Sequence, residues 1–133
     1  MKVCKKDNID LLNDILNRYA DDMLYFESKN TEEKMPINYI SWCWDSILHS
    51  AIWKEDAKTV DILIKCWIDI NIKWEMWETP LHIAIGKENF TIIELLIKAW
   101  AKTNIKSEFL RTSIDNAKHK WDKFYKRFKQ LLN

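Results

Sequence analysis

A 33-residue internal repeat constrains this chain more than any other feature of its sequence. The segment Trp44-Asp45-Ser46-Ile47-Leu48-His49-Ser50-Ala51-Ile52-Trp53-Lys54-Glu55 recurs 33 positions later as Trp77-Glu78-Thr79-Pro80-Leu81-His82-Ile83-Ala84-Ile85-Gly86-Lys87-Glu88. The register continues through Val60-Asp61-Ile62-Leu63-Ile64-Lys65-Cys66-Trp67 over Ile93-Glu94-Leu95-Leu96-Ile97-Lys98-Ala99-Trp100, then through Asn71-Ile72-Lys73 over Asn104-Ile105-Lys106. A weaker third copy begins at Leu110-Arg111-Thr112-Ser113-Ile114-Asp115. A unit this short cannot bury an apolar face alone, so such units stack on their neighbours into an array with one continuous core.

Local chemistry assigns helices to each unit. Thr79 suits a helix N-cap and Pro80 the first helical position, where its missing N–H has no intrahelical partner to lose. Ser46 and Thr112 occupy the same place in the other units. Leu81 and Ala84 fall on one face of a short first helix, while Ile93, Leu96 and Ile97 recur at helical spacing in the second. Small Ala51, Ala84 and Ala117 permit close helix packing. The pattern predicts helix pairs over 46–66, 79–99 and 112–132. Before them, Ile9, Leu12, Ile15, Leu16, Tyr19, Met23 and Phe26 predict one amphipathic helix within 8–29 that caps the array, followed by a polar connection at 31–36.

Thr79-Pro80-Leu81-His82, repeated at this period, resembles the ankyrin repeat over about residues 41–133. The likeness weakens in the third copy, where Ser113 replaces proline and Asp115 replaces histidine, as suits a terminal unit. It implies an all-α ankyrin-repeat solenoid of helix-turn-helix units: residues 1–40 form the N-terminal helix and connection, and 41–133 the repeats, at about 41–73, 74–106 and 107–133. It also implies a non-catalytic protein-binding module that uses its concave surface. Transferred position by position, that surface comprises Trp42, Cys43, Asp45, Trp53 and Lys54; then Glu75, Met76, Glu78, Gly86 and Lys87; then Glu108, Phe109, Arg111, His119 and Lys120. A narrower resemblance, carried by Trp74-Glu75-Met76-Trp77-Glu78-Thr79-Pro80-Leu81-His82, is to small bacterial ankyrin-type immunity proteins, which neutralise a cognate toxin by direct binding. A generic ankyrin adaptor or scaffold is the alternative, and a nucleic-acid binder working through the basic C-terminal helix is a more distant one.

Composition matters at one point above all. The chain has eight Trp and a single Gly, where ordinary usage of about 7% would give roughly nine glycines. Trp44 and Trp77 stand where the repeat turn takes glycine, and Trp67 and Trp100 where glycine ends the second helix in the left-handed conformation. Trp121 falls on the glycine that separates the paired helices, and Trp53 aligns with Gly86. The two residue types behave as synonyms. Most or all of the eight tryptophans are therefore read as glycines of a gene in which UGA encodes glycine, UGA being one base from GGA. Genuine tryptophans forming a sticky aromatic surface are the alternative.

Little in the sequence points to catalysis. His49 and His82 occupy the histidine of the repeat, where the ring bonds across the turn. Cys43 near His49 has no third group to orient it, and His119 stands alone in a lysine-rich stretch. No cofactor or metal is expected, since Cys4, Cys43 and Cys66 show no metal-ligand spacing and read as reduced thiols. With 21 Lys and Arg against 20 Asp and Glu, the net charge of +1 steers the chain toward neither nucleic acid nor a membrane. The polar N-terminus and the lack of an 18-residue apolar run lead to the expectation of a cytoplasmic monomer with a protein partner. Lys118 to Asn133, with Phe124, Phe128, Leu131 and Leu132 at helical spacing, reads as a closing helix with one buried face and one lysine-rich face.

Overall fold

The computed structural model describes residues 6–22, 37–38 and 46–133. They contain seven α-helices and one 3-10 turn, with no strand among the described residues. The chain divides into two compact units, Met1–Asp69 and Ile70–Asn133.

The first unit holds α1 (Lys6–Asp22), α2 (Ile47–Trp53) and α3 (Ala57–Lys65). Ser46 starts α2 with an extended backbone (φ −114°, ψ 160°) and accepts the His49 N–H at 3.3 Å. Asp56 caps α3 by accepting the Thr59 N–H at 3.2 Å. Each cap satisfies an N–H that the helix itself leaves without a partner. Ile47, Leu48, Ala51, Ile52, Val60 and Leu63 form a fully buried centre. Helix α1 packs against α2 and α3 and buries Ile15, Leu16, Tyr19 and Ala20. Its described part ends at Asp22, and the remainder of the predicted span lies outside the described residues. Ile9 faces solvent and Leu12 is half-buried, whereas Met23 and Phe26 lie outside the described residues.

The second unit holds α4 (Pro80–Lys87), α5 (Phe90–Lys98), α6 (Ser113–Lys118) and α7 (Asp122–Leu131). Thr79 and Thr112 cap α4 and α6, and Asn89 caps α5 by accepting the Ile92 N–H at 3.2 Å. Helix α4 packs on α5 and on α6, and α6 packs on α7. Ala84 and Ala117 are completely buried, as close packing of α4 and α6 requires. Leu81, Ile85, Ile92, Ile93, Leu96, Phe124 and Phe128 complete this core. Helix α7 buries one face as expected, but that face stops at Phe128: Leu131 is half-buried and Leu132 is exposed.

The repeat extends to individual hydrogen bonds. In one turn Trp74 donates its N–H to the Glu78 carbonyl at 2.7 Å, and Trp77 donates to the Trp74 carbonyl at 2.8 Å. In the next turn, 33 positions on, Ser107 donates to Arg111 at 2.8 Å and Leu110 to Ser107 at 2.9 Å. Equivalent backbone paths demand equivalent dihedrals, and Trp77 and Leu110 share φ values of 59° and 60°. Trp67 and Trp100 repeat one another likewise, at 63° and 66°. Trp121 departs from expectation. Its φ is −65° and it leads into α7 in extended conformation. The aligned Glu55 and Glu88 take φ of 54° and 57°. Helix α6 ends at Lys118, its cap His119 already in ordinary right-handed geometry, so the chain reaches α7 without a left-handed residue.

Candidate functional site

Two turn tips form the most distinctive exposed surface of the second unit. The first is the 3-10 turn Glu75–Trp77 and the second is its repeat equivalent around Glu108 and Phe109. The Glu108 N–H donates to the Met76 carbonyl at 2.8 Å, which joins the two tips through backbone. Met76 has φ 61° and ψ 17°, a left-handed conformation imposed by the tight turn rather than favoured by its side chain. Met76, Phe109 and Leu110 are all exposed, at 46%, 63% and 75%. Lys73, Lys106, Glu108 and Arg111 are exposed along the same two stretches. An apolar centre with a mixed-charge rim is the composition of a protein contact.

What holds the tips in place is a buried histidine. The Thr79 backbone N–H donates to His82 Nδ1 at 3.1 Å, so that nitrogen is an acceptor and the ring hydrogen sits on Nε2. Nε2 then donates to the Arg111 carbonyl at 3.0 Å, tying the cap of one repeat to the turn of the next. The Thr79 hydroxyl lies 2.8 Å from the same Nδ1. His82 is 2% exposed, and both of its ring nitrogens are engaged by these bonds. In the third copy Asp115 takes the histidine's place. Its carboxyl is held below its ordinary 3.8 chiefly by the Thr112 backbone N–H, at 3.0 Å, and then by the Thr112 side chain.

Residues 77–108 match the ankyrin repeat family. No curated protein matches the chain. Together with the helix pairs, the match establishes an all-α ankyrin-repeat fold, and ankyrin repeats are in general protein-interaction modules without catalysis. The match spans one unit and begins at the Trp77 turn residue. The first helices on either side of it, α2 and α6, begin 33 residues before and after α4 behind the equivalent caps Ser46 and Thr112.

The expected surface residues fall into separate groups. Met76, Glu108, Phe109 and Arg111 gather at the joined tips. Glu78 is half-buried beside them, with its carbonyl in the turn, and Glu75 lies within the first tip. Gly86 and Lys87 at the end of α4 lie near His119 and Lys120 at the end of α6, where Lys120 pairs with Glu88 at 3.1 Å. Gly86 is exposed and open around its Cα, so nothing steric reserves that position for glycine. Trp53 and Lys54 belong to the first unit, where the Lys54 ammonium lies 4.6 Å from the centre of the Tyr19 ring. Trp42, Cys43 and Asp45 lie outside the described residues.

Sequence reasoning missed three features. Leu110 is more exposed than Met76, Trp77 or Phe109, yet in the sequence it stood out only as the first residue of the weaker third copy. A groove of about 890 Å³ runs between α1 and α3, with Leu11, Ile15 and Ile62 beside Asp14, Arg18, Lys58 and Asp61. Its lining comes from two distant stretches that no motif links. Cys66 is disulfide-bonded, which corrects its reading as a reduced thiol; Cys4 and Cys43 lie outside the described residues. Among the described residues no group of three or more His, Cys, Asp or Glu could hold a metal ion, and no helix is long and apolar enough to cross a membrane.

Proposed function

We propose that this chain is a non-catalytic binding module that grips a protein partner through the joined tips of its repeats, and that the partner is a toxin which it neutralises. The supporting observation is the Glu108–Met76 backbone bond, which presents Met76, Phe109 and Leu110 as one apolar surface on rigid turns. Anchors held by backbone bonds lose little conformational entropy on binding. The immunity role rests on the turn sequence Glu75-Met76-Trp77-Glu78-Thr79-Pro80-Leu81-His82 and its resemblance to ankyrin-type immunity proteins; a monomer working in the cytoplasm belongs to that reading, and the Cys66 disulfide speaks against that location. In this reading α1 caps the array and residues 41–133 carry the repeats. Met76→Lys combined with Phe109→Lys should weaken capture of the product of a neighbouring toxin gene by at least about 100-fold, with the urea midpoint unchanged. Undiminished capture by that variant moves the interface elsewhere, and a locus without a toxin gene favours a generic adaptor.

We infer also that most or all of the eight tryptophans stand for glycine in the natural product. Trp67, Trp77 and Trp100 adopt φ of 63°, 59° and 66°, a region that glycine enters freely and a residue with a β-carbon does not. All three are exposed as well, Trp100 at 88%, although tryptophan is normally a highly buried residue. Sequencing the gene decides the matter: eight UGG codons end the proposal. Protein purified from the native host should weigh less than the 16.1 kDa of the tryptophan form.

A further inference from the structure

The basic helix α7 has a face that the tips do not use. Residues 118–129 hold six Lys and Arg, with Asp122 the one acid among them. The charge is also segregated on a larger scale: residues 70–133 carry twelve Lys and Arg against seven Asp and Glu, and residues 1–69 carry nine against thirteen. On α7 the buried Phe124 and Phe128 turn one side inward. Lys123, Lys126, Arg127 and Gln130 are exposed and line a single shallow depression together with Asp122. Their i, i+3, i+4, i+7 spacing makes one stripe along the helix, about 10 Å long at 1.5 Å per residue.

Arg127 is set in place before any partner arrives. Its guanidinium carbon lies 4.0 Å from the centre of the Phe90 ring. Stacking uses the face of the guanidinium and leaves the N–H groups in its plane able to grip a carboxylate with two parallel bonds. Among the described residues no ion pair engages Lys123, Lys126 or Arg127.

We propose that this face of α7 is a second contact surface and that it receives an acidic segment of a protein partner. The proposal rests on the protein-binding reading above and adds the partner's chemistry. A nucleic acid fits less well. Affinity for a phosphate backbone grows with the number of phosphates neutralised, and the stripe offers three cations while the remainder of the chain sums to a small negative charge. A short cluster of Asp and Glu matches the length of the stripe, the fork of Arg127 and the amide of Gln130.

The test uses the full chain and three probes at low salt: a fluorescent oligoglutamate peptide, a single-stranded oligodeoxynucleotide of the same net charge, and phosphatidylserine vesicles. The peptide should bind, release as salt is raised, and bind at least about tenfold more weakly to Lys123→Glu/Lys126→Glu. The milder Lys123→Gln/Lys126→Gln should lose an intermediate amount, with the far-UV circular dichroism of both variants unchanged. Absence of peptide binding, equal affinity in the charge variants, or tighter binding of the oligonucleotide or the vesicles would overturn the proposal. The Met76→Lys/Phe109→Lys chain should still bind the peptide fully, so failure of the tip reading and failure of this one are separate results.

Discussion

Tryptophan at φ near 60° sets its β-carbon against the following carbonyl oxygen, at a cost of about 1–2 kcal/mol per residue. Trp67→Gly, Trp77→Gly and Trp100→Gly should therefore each stabilise the chain, by about 1 kcal/mol once the greater unfolded freedom of glycine, under about 1 kcal/mol, is subtracted. Trp121→Gly should not, because its φ of −65° is ordinary. Urea titration of the four single variants checks this contrast, and an equal gain at Trp121 would mean that strain is not the cause. Three of these positions were legible because the repeat period carried glycine's usual places onto tryptophan. Glu55 and Glu88 were not legible, since neither glycine nor tryptophan marks them, and nothing in the structure explains glutamate there. Trp121 misled because alignment gives register but not the length of α6.

Helix ends are where the elements depend on charge. The Asp56 carboxyl is raised by burial, but hydrogen bonds from the Thr59 side chain and N–H and from Tyr19, with the Arg18 charge, outweigh it and leave the group below its ordinary 3.8. Tyr19 is pushed up to about 12 from 10.0, first by burial and then by the Asp56 charge. The signs follow from linkage. A lowered carboxyl contributes stability that is complete above its unfolded value and lost as pH falls through the folded one. A raised phenol contributes stability that is present below 10 and lost as pH rises through about 12. Asp56→Asn should flatten the acid limb of a stability–pH curve while keeping part of the cap, and Tyr19→Phe should flatten the alkaline limb. A second test concerns the neighbouring repeats. His82→Ala removes the bonds to Thr79 and to the Arg111 carbonyl, both buried or partly so, and should cost about 2–3 kcal/mol by denaturant titration. The caps Ser46, Thr79 and Thr112 were readable in the sequence because Ser and Thr there do a local job. The Tyr19–Asp56 bond, between residues 37 positions apart at 3.2 Å, has no local signal and appears only when α1 packs.

At the scale of the whole molecule the tryptophans affect behaviour in solution as well as stability. Trp53, Trp67, Trp77, Trp100 and Trp121 are each about half exposed or more, and Met76, Phe109 and Leu110 are exposed too. The number of apolar side chains in water is thus well above what the fold itself requires, and large exposed apolar patches drive association. The periodic core, by contrast, was visible in the sequence almost residue by residue, because burial in α2 to α7 follows helical spacing. The functional surface was only partly visible, because exposure at a turn tip is decided by backbone bonds such as Glu108 to Met76 and not by residue type. The two readings of tryptophan therefore make opposite forecasts. If the natural chain carries glycine, a form with all eight tryptophans replaced should sediment as a monomer across a wide concentration range, while the tryptophan form self-associates as concentration rises. It should also bind the partner undiminished, since Met76, Phe109 and Leu110 remain. Loss of partner binding in the glycine form, with its monomeric state and helix content intact, would show that the aromatic side chains are part of the interface and that UGA recoding is the wrong account of them.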